Sequence, residues 1–119
     1  IISSRGLNMK KFVWLSYDLS ITGDYTNLYQ WLDSHDAKEC GDSVACFWYE
    51  FETNLKHEIE NDLQRHIQID ERKDRFYLIS PKKENDVLDK YFGTFLFGRR
   101  KASPWEGYAA KEDELDDEY

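Results

Sequence analysis

The chain has 119 residues, a net charge of −8 and an aromatic content of 16%. This length predicts a single domain, and the aromatic content excludes disorder throughout, because disordered sequences are poor in aromatic residues. The negative charge argues against a simple electrostatic nucleic-acid-binding protein, since such proteins are usually basic. Apolar runs such as Val44–Tyr49 are too short to cross a bilayer, so we expect no membrane association.

The two ends of the chain differ in composition from the rest. Met9 and the residues after it resemble a natural start, so we expect residues 1–8 to be leader or upstream sequence. They have no signal-peptide pattern, which predicts a reducing, cytoplasmic location. Lys111–Tyr119 contains one base and six acids, and it carries five of the eight net negative charges. Because like charges repel, we expect disorder here, within a C-terminal segment of residues 99–119.

The first half of the domain contains three predicted strands and one helix. Phe12–Asp18 is dense in β-forming residues and predicts a buried strand. Asp24 is a predicted N-cap for a helix over Tyr25–Ser34, whose apolar residues recur at i, i+3 and i+4. Ala37–Cys40 and Ser43–Phe51 are separated by a short turn, which predicts an antiparallel hairpin.

The second half begins with another amphipathic helix. Thr53 is its predicted N-cap, and apolar residues then recur every fourth position from Leu55 to Ile67. Arg75–Ser80 predicts a further strand, which we expect Pro81 to end.

The resulting order, β-α-β-β-α-β, predicts an α+β protein of the ferredoxin-like class, with two helices on one face of an antiparallel sheet. A C-terminal extension follows, with a short helix over Asp86–Phe92 and a fifth strand over Gly93–Gly98. We therefore expect one domain over residues 9–98. The other face of the sheet would carry large aromatics such as Trp14 or Trp48, and an uncovered apolar face predicts a homodimer with its sheets face to face.

Asp18 is the first candidate for chemistry. It follows the first predicted strand, where a carboxylate beside a loop is well placed to bind Mg²⁺. The alternative is a turn-initiating aspartate that accepts hydrogen bonds from nearby backbone N–H groups.

Short motifs along residues 10–80 resemble the small CRISPR-associated adaptation protein, often described as a metal-dependent ribonuclease, and its stand-alone SinR-like relatives. The residues that carry the resemblance are Leu15-Ser16-Tyr17-Asp18-Leu19, Gly23-Asp24-Tyr25, Leu28, Leu32, Ser43-Val44 and Asp74-Arg75-Phe76. The resemblance implies a ferredoxin-like homodimer in which Asp18 of each subunit shares a divalent metal such as Mg²⁺. It also implies that Ser16, Tyr17 and Ser43 lie near the catalytic cleft.

A second candidate site is the basic run Arg99-Arg100-Lys101, followed by Trp105. Cations there would bind phosphates while the aromatic ring stacks on a base, and the alternative is a solvated turn that balances the acidic tail. Three hypotheses follow for the whole chain: a Mg²⁺-dependent endonuclease acting on RNA or DNA, a non-catalytic homodimeric adaptor or antitoxin-like module that binds protein, and an acidic nucleic-acid mimic.

Overall fold

The computed structural model describes residues 8–84 and 87–109, with the side chains of 83–84 and 87–89 excepted. Its elements, in chain order, are β1 (Met9–Asp18), α1 (Tyr25–Ser34), β2 (Lys38–Gly41), β3 (Val44–Phe51), α2 (Leu55–His66), β4 (Arg75–Glu84) and β5 (Val87–Phe97). The strands form one sheet in the order β2-β3-β1-β4-β5, and every neighbouring pair is antiparallel. The predicted α+β class with an antiparallel sheet is therefore confirmed.

The core lies between this sheet and the two helices. Alternate residues of β1 and β3 are buried on the same side of the sheet because strand side chains alternate between faces. Trp31 of α1 packs its ring against Phe47 of β3, and Tyr49 of β3 donates a hydrogen bond to Asp62 of α2. Both helices thus contact one face. Burying a large apolar side chain such as Phe47 contributes about 1.5–3 kcal/mol.

The predicted cap of α1 is confirmed and that of α2 is wrong. The Asp24 carboxylate accepts a hydrogen bond from the backbone N–H of Asn27 at 3.3 Å. On α2 the N-cap is Asn54, whose side chain accepts from the backbone N–H of His57 at 2.9 Å. Thr53 lies one residue before this cap, and its N–H donates to Glu58, which reaches back from the first helical turn.

Glu58 also makes the fold sensitive to acid. Its carboxylate accepts hydrogen bonds from the backbone N–H groups of Glu52, Thr53 and Asn54, which hold the pKa of Glu58 below its ordinary value of 4.5. A lowered native pKa gives stabilisation that is present above the unfolded pKa and is lost as pH falls through the native pKa.

We therefore expect Glu58→Gln to melt at a lower temperature than wild type at neutral pH, and the two melting curves to converge between about pH 5 and about pH 3. Thermal unfolding followed by circular dichroism at a series of pH values measures this. Glu50→Gln removes an exposed charge on β3 and is the matched control, with little effect expected at any pH. A melting difference for Glu58→Gln that does not narrow on acidification would contradict the capping role.

Pro81 does not end β4, which continues to Glu84. The pairing of β1 with β4 extends only to Ile79, so Pro81 lies where β4 pairs with β5 alone. A proline lacks the N–H that a strand with two partners needs, but it is tolerated where one side is unpaired.

The short helix predicted from Asp86 to Phe92 is also wrong. Asp86 lies outside the described residues, and Val87 to Phe97 form β5, which pairs with β4 of the same chain. Long-range pairing with β4 overrides the local helical spacing here, as it often does for aromatic and β-branched residues. The predicted fifth strand is thus the second half of β5.

The sheet face that no described helix covers carries a row of aromatic rings. Phe12 contacts Trp14 and Trp48 in edge-to-face geometry, and Trp14 contacts Tyr91 at 5.5 Å between ring centroids. Trp48 is 59% exposed and Tyr91 is 63% exposed. We call Phe12, Trp14, Trp48 and Tyr91 the aromatic row.

No helix among the described residues is long and apolar enough to cross a membrane. The predicted leader, residues 1–8, lies outside the described residues except for Asn8, and the whole acidic tail Lys111–Tyr119 also lies outside them. Residues 104–107, which include Trp105, form a turn.

Candidate nucleic-acid interface

Asp18 is the last residue of β1 and lies on the face that carries the aromatic row. Ser16 shares this face because it lies two residues earlier, and both side chains line one pocket. Tyr17 points to the opposite side and is buried in the core at 9% exposure. The implied placement of Tyr17 in the cleft is therefore not observed, although its backbone N–H donates to the carbonyl of Ser43 at 2.9 Å.

Arg75 engages Asp18 directly. The two residues face each other in the β1–β4 register, and Nη2 of Arg75 donates to Oδ2 of Asp18 at 2.7 Å. The Asp18 side chain remains 58% exposed. The carboxylate thus already has a cationic partner, and a metal ion would have to bind beside or in place of that guanidinium.

The start of β4 is held in position by Asp74. This carboxylate is buried at 2% exposure and accepts hydrogen bonds from the backbone N–H groups of Ser20 and Asp70, each at 2.9 Å. Ser20 follows β1 and Asp70 follows α2, so Asp74 ties the two loops to the first residue of β4. Arg75 is thereby fixed opposite Asp18.

Gly98 brings the basic run close to Arg75. Its φ of +81° is a left-handed conformation that residues with a β-carbon rarely adopt. A β-carbon at Gly98 would also lie 2.6 Å from the carbonyl oxygen of Asp74 and 2.7 Å from Cγ of Arg75. Glycine therefore lets the chain that leaves β5 pass directly over the start of β4.

The consequence is a pocket of about 540 Å³ with strongly cationic walls, which we call the cationic pocket. Six of its eight lining residues are basic and one is acidic; the lining comprises Glu71, Arg72, Lys73, Arg75, Gly98, Arg99, Arg100 and Lys101. Arginine and lysine donors that converge on one cavity match the oxygens of phosphate groups.

A second pocket of about 270 Å³ adjoins it on the open sheet face, and we call it the ring pocket. Arg75 and Arg100 line both pockets. The remaining lining residues of the ring pocket are Ser16, Asp18, Tyr77 and Phe95. The Arg100 guanidinium lies over the ring of Phe95, 5.5 Å from its centroid, which is a cation–π arrangement.

The structure brings together part of each predicted site. Asp18 and Ser16 meet Arg100 in the ring pocket, while Arg99 and Lys101 line the cationic pocket. Ser43 lies in the β2–β3 turn with a φ of +61°, and it does not line either pocket.

Trp105 is 71% exposed in the turn after the basic run and is also absent from both pocket linings. Three cations of the cationic pocket, namely Arg72, Lys73 and Arg75, were not predicted as site residues from the sequence. The only local signal is their own basic run before β4, Arg72-Lys73-Asp74-Arg75.

Within the described residues no group of three or more histidine, cysteine, aspartate or glutamate side chains could hold a metal ion. Asp18 and its arginine partner do not by themselves form the oxygen-rich cage that Mg²⁺ needs. The described donors of a single chain therefore do not fit a bound Mg²⁺. That Asp18 is a metal ligand stays a prediction, and it requires a second carboxylate.

Comparison with known proteins adds no relative: no family model matches the chain, and neither a curated protein nor a solved structure matches it. The resemblance to the CRISPR-associated and SinR-like proteins therefore stays a prediction.

Proposed function

We propose that this protein is a cytoplasmic nucleic-acid-binding protein that holds phosphodiester groups in the cationic pocket. The observation that carries the proposal is that six arginine and lysine residues line one cavity in a chain whose net charge is −8. Local cation density, rather than global charge, decides where a phosphate binds, because salt screens charges beyond about 10 Å. The acidic average of the chain is therefore compatible with this site.

The proposal includes a ferredoxin-like fold. The first four strands lie in the order β2-β3-β1-β4, with one helix in each of the connections from β1 to β2 and from β3 to β4. The element order of the split β-α-β motif supports this assignment. In this reading β5 is an addition at the edge that β4 would otherwise expose.

Hydrolysis of the bound phosphodiester is a second candidate function, favoured by the position of Asp18 beside Arg75 and Arg100. The two arginines would orient a phosphate next to the carboxylate. Asp18 would bind Mg²⁺ only together with Asp18 of a second copy, and a bound metal would supply Lewis-acid activation of the phosphate.

A homodimer is the arrangement that would pair the two carboxylates. The exposed aromatic row supports it, because apolar patches of this kind are usually covered. The same row favours the alternative of a non-catalytic homodimeric module that binds protein. The cationic pocket argues against an acidic nucleic-acid mimic, since its charge would attract nucleic acid rather than a basic groove.

The binding proposal is tested by replacing Arg99, Arg100 and Lys101 together with glutamine. Affinity for a fluorescent RNA or DNA oligonucleotide, measured by anisotropy at several salt concentrations, should fall about tenfold or more, and the slope of log K against log salt should decrease by about two. A variant in which Lys10, Lys11 and Lys56 become glutamine has the same net charge and is the matched control. Equal losses in the two variants would contradict a local site.

The same purified protein and oligonucleotides test cleavage, with Mg²⁺ or Mn²⁺, with EDTA, and beside Asp18→Ala. Metal-dependent cleavage that is lost in Asp18→Ala is the expected result. Cleavage that survives Asp18→Ala would overturn the assigned role of Asp18, and binding without cleavage would leave the protein a nucleic-acid-binding module.

A further inference from the structure

The ring pocket and the cationic pocket share two lining residues, Arg75 and Arg100, and this shared wall suggests what kind of nucleic acid would bind. A phosphate held by these guanidinium groups would place its attached nucleoside within reach of the ring pocket.

The walls of the ring pocket suit a flat heteroaromatic group. The rings of Tyr77 and Phe95 meet edge to face at 4.8 Å between centroids, and Arg100 lies over Phe95. Tyr77 is held in place because its ring lies over Gly93, where any β-carbon would overlap the ring. Aromatic rings and planar guanidinium groups are the surfaces on which nucleobases stack.

The rim of the ring pocket is polar. Oδ2 of Asp18 accepts from Arg75, and the carboxylate stays more than half exposed, so it has lone pairs left for a base N–H group. Ser16 adds a hydroxyl that can donate or accept. A pocket that combines two aromatic rings with acceptors at one edge matches a base whose hydrogen-bonding edge is free.

We propose that the ring pocket binds one unpaired nucleobase, so that the ligand of this protein is single-stranded nucleic acid. This inference rests on the proposed function. In a duplex each base is stacked between neighbours and paired along its edge, so it cannot enter a pocket without being unpaired and extruded. The cationic pocket supplies affinity for phosphate, and the ring pocket selects against the duplex.

Phe95→Leu tests the proposal because it removes the ring while keeping an apolar side chain. The matched control is Phe92→Leu on the same strand, since Phe92 is 42% exposed and does not line either pocket. Phe95→Tyr keeps the ring and serves as the rescue variant. Thermal unfolding establishes that each variant is folded before three probes are titrated: a single-stranded oligonucleotide, its duplex with the complementary strand, and inorganic polyphosphate.

We expect wild type to bind the single strand more tightly than the duplex, and Phe95→Leu to weaken single-strand binding roughly five- to hundredfold. Polyphosphate binding should be unchanged, and Phe92→Leu and Phe95→Tyr should behave as wild type. Single-strand binding that is unaffected by Phe95→Leu, or polyphosphate binding that falls in parallel, would overturn the ring pocket as a base site. Failure of wild type to bind any of the three probes at low salt would instead overturn the proposed function.

Discussion

Replacement of Asp74 with alanine is expected to lower the free energy of unfolding by about 2–4 kcal/mol, because two partly buried backbone N–H donors lose the buried carboxylate that accepts from them. The donors belong to Ser20 and Asp70, and both hydrogen bonds are 2.9 Å long. Denaturant unfolding monitored by tryptophan fluorescence measures the change. Since Asp74 also positions Arg75 opposite Asp18, we expect weaker oligonucleotide binding at temperatures where the variant is still folded.

Two further variants separate hydrogen bonding from charge in this effect. Asp74→Asn keeps one carbonyl oxygen as an acceptor, so its destabilisation should be smaller than that of alanine. Asp33→Ala removes an exposed carboxylate from α1 and should change stability by no more than about 0.5 kcal/mol. An Asp74→Ala protein as stable as Asp33→Ala would show that these loops do not depend on the buried carboxylate.

Replacement of Gly98 with alanine is the second substitution from which we expect a large effect. The left-handed backbone conformation alone costs a residue with a β-carbon about 1–2 kcal/mol. The new methyl group would also overlap the Asp74 carbonyl and the Arg75 side chain, so the chain must move away from β4. We expect destabilisation beyond the conformational cost, together with weaker oligonucleotide binding because Arg99–Lys101 shift relative to Arg75.

Gly107 provides the control for Gly98. Its φ is +87°, yet a β-carbon there would meet no atom of the described residues within 4 Å, apart from its own chain neighbours. Gly107→Ala should therefore show the conformational cost without the overlap, and it should leave oligonucleotide affinity unchanged. Equal stability and affinity in the two variants would contradict the role assigned to the close approach of Gly98 to Arg75.

Local pattern was sufficient for most elements of this fold. The i, i+3, i+4 spacing predicts α1 with its observed bounds, Tyr25–Ser34, and Asp24 is the cap that the sequence indicates. The elements that were missed depend on distant residues. β4 passes Pro81, and β5 replaces a predicted helix, because the two strands stabilise each other along the sheet edge.

The candidate site likewise contains residues that the sequence indicates and contacts that it does not. Asp18 stands out because it ends a strand, and Arg99–Lys101 because three bases adjoin one another. Their association with Arg75 was not predicted, since it depends on the β1–β4 register and on the path of the chain at Gly98. Tyr17 was expected beside Asp18 but lies in the core, because neighbouring strand residues point to opposite faces.

The sequence alone thus determined the α+β class, most of the elements and their order, the concentration of acid at the C-terminal end, and the residue types able to bind a phosphate. Only the tertiary structure decided that six basic residues line one cavity and that Arg75 forms an ion pair with Asp18. The physical reason is sequence separation: an apolar pattern is set by residues a few positions apart within one helix or strand. Charges assemble into a site only when strand register and loop path bring distant residues within hydrogen-bond distance.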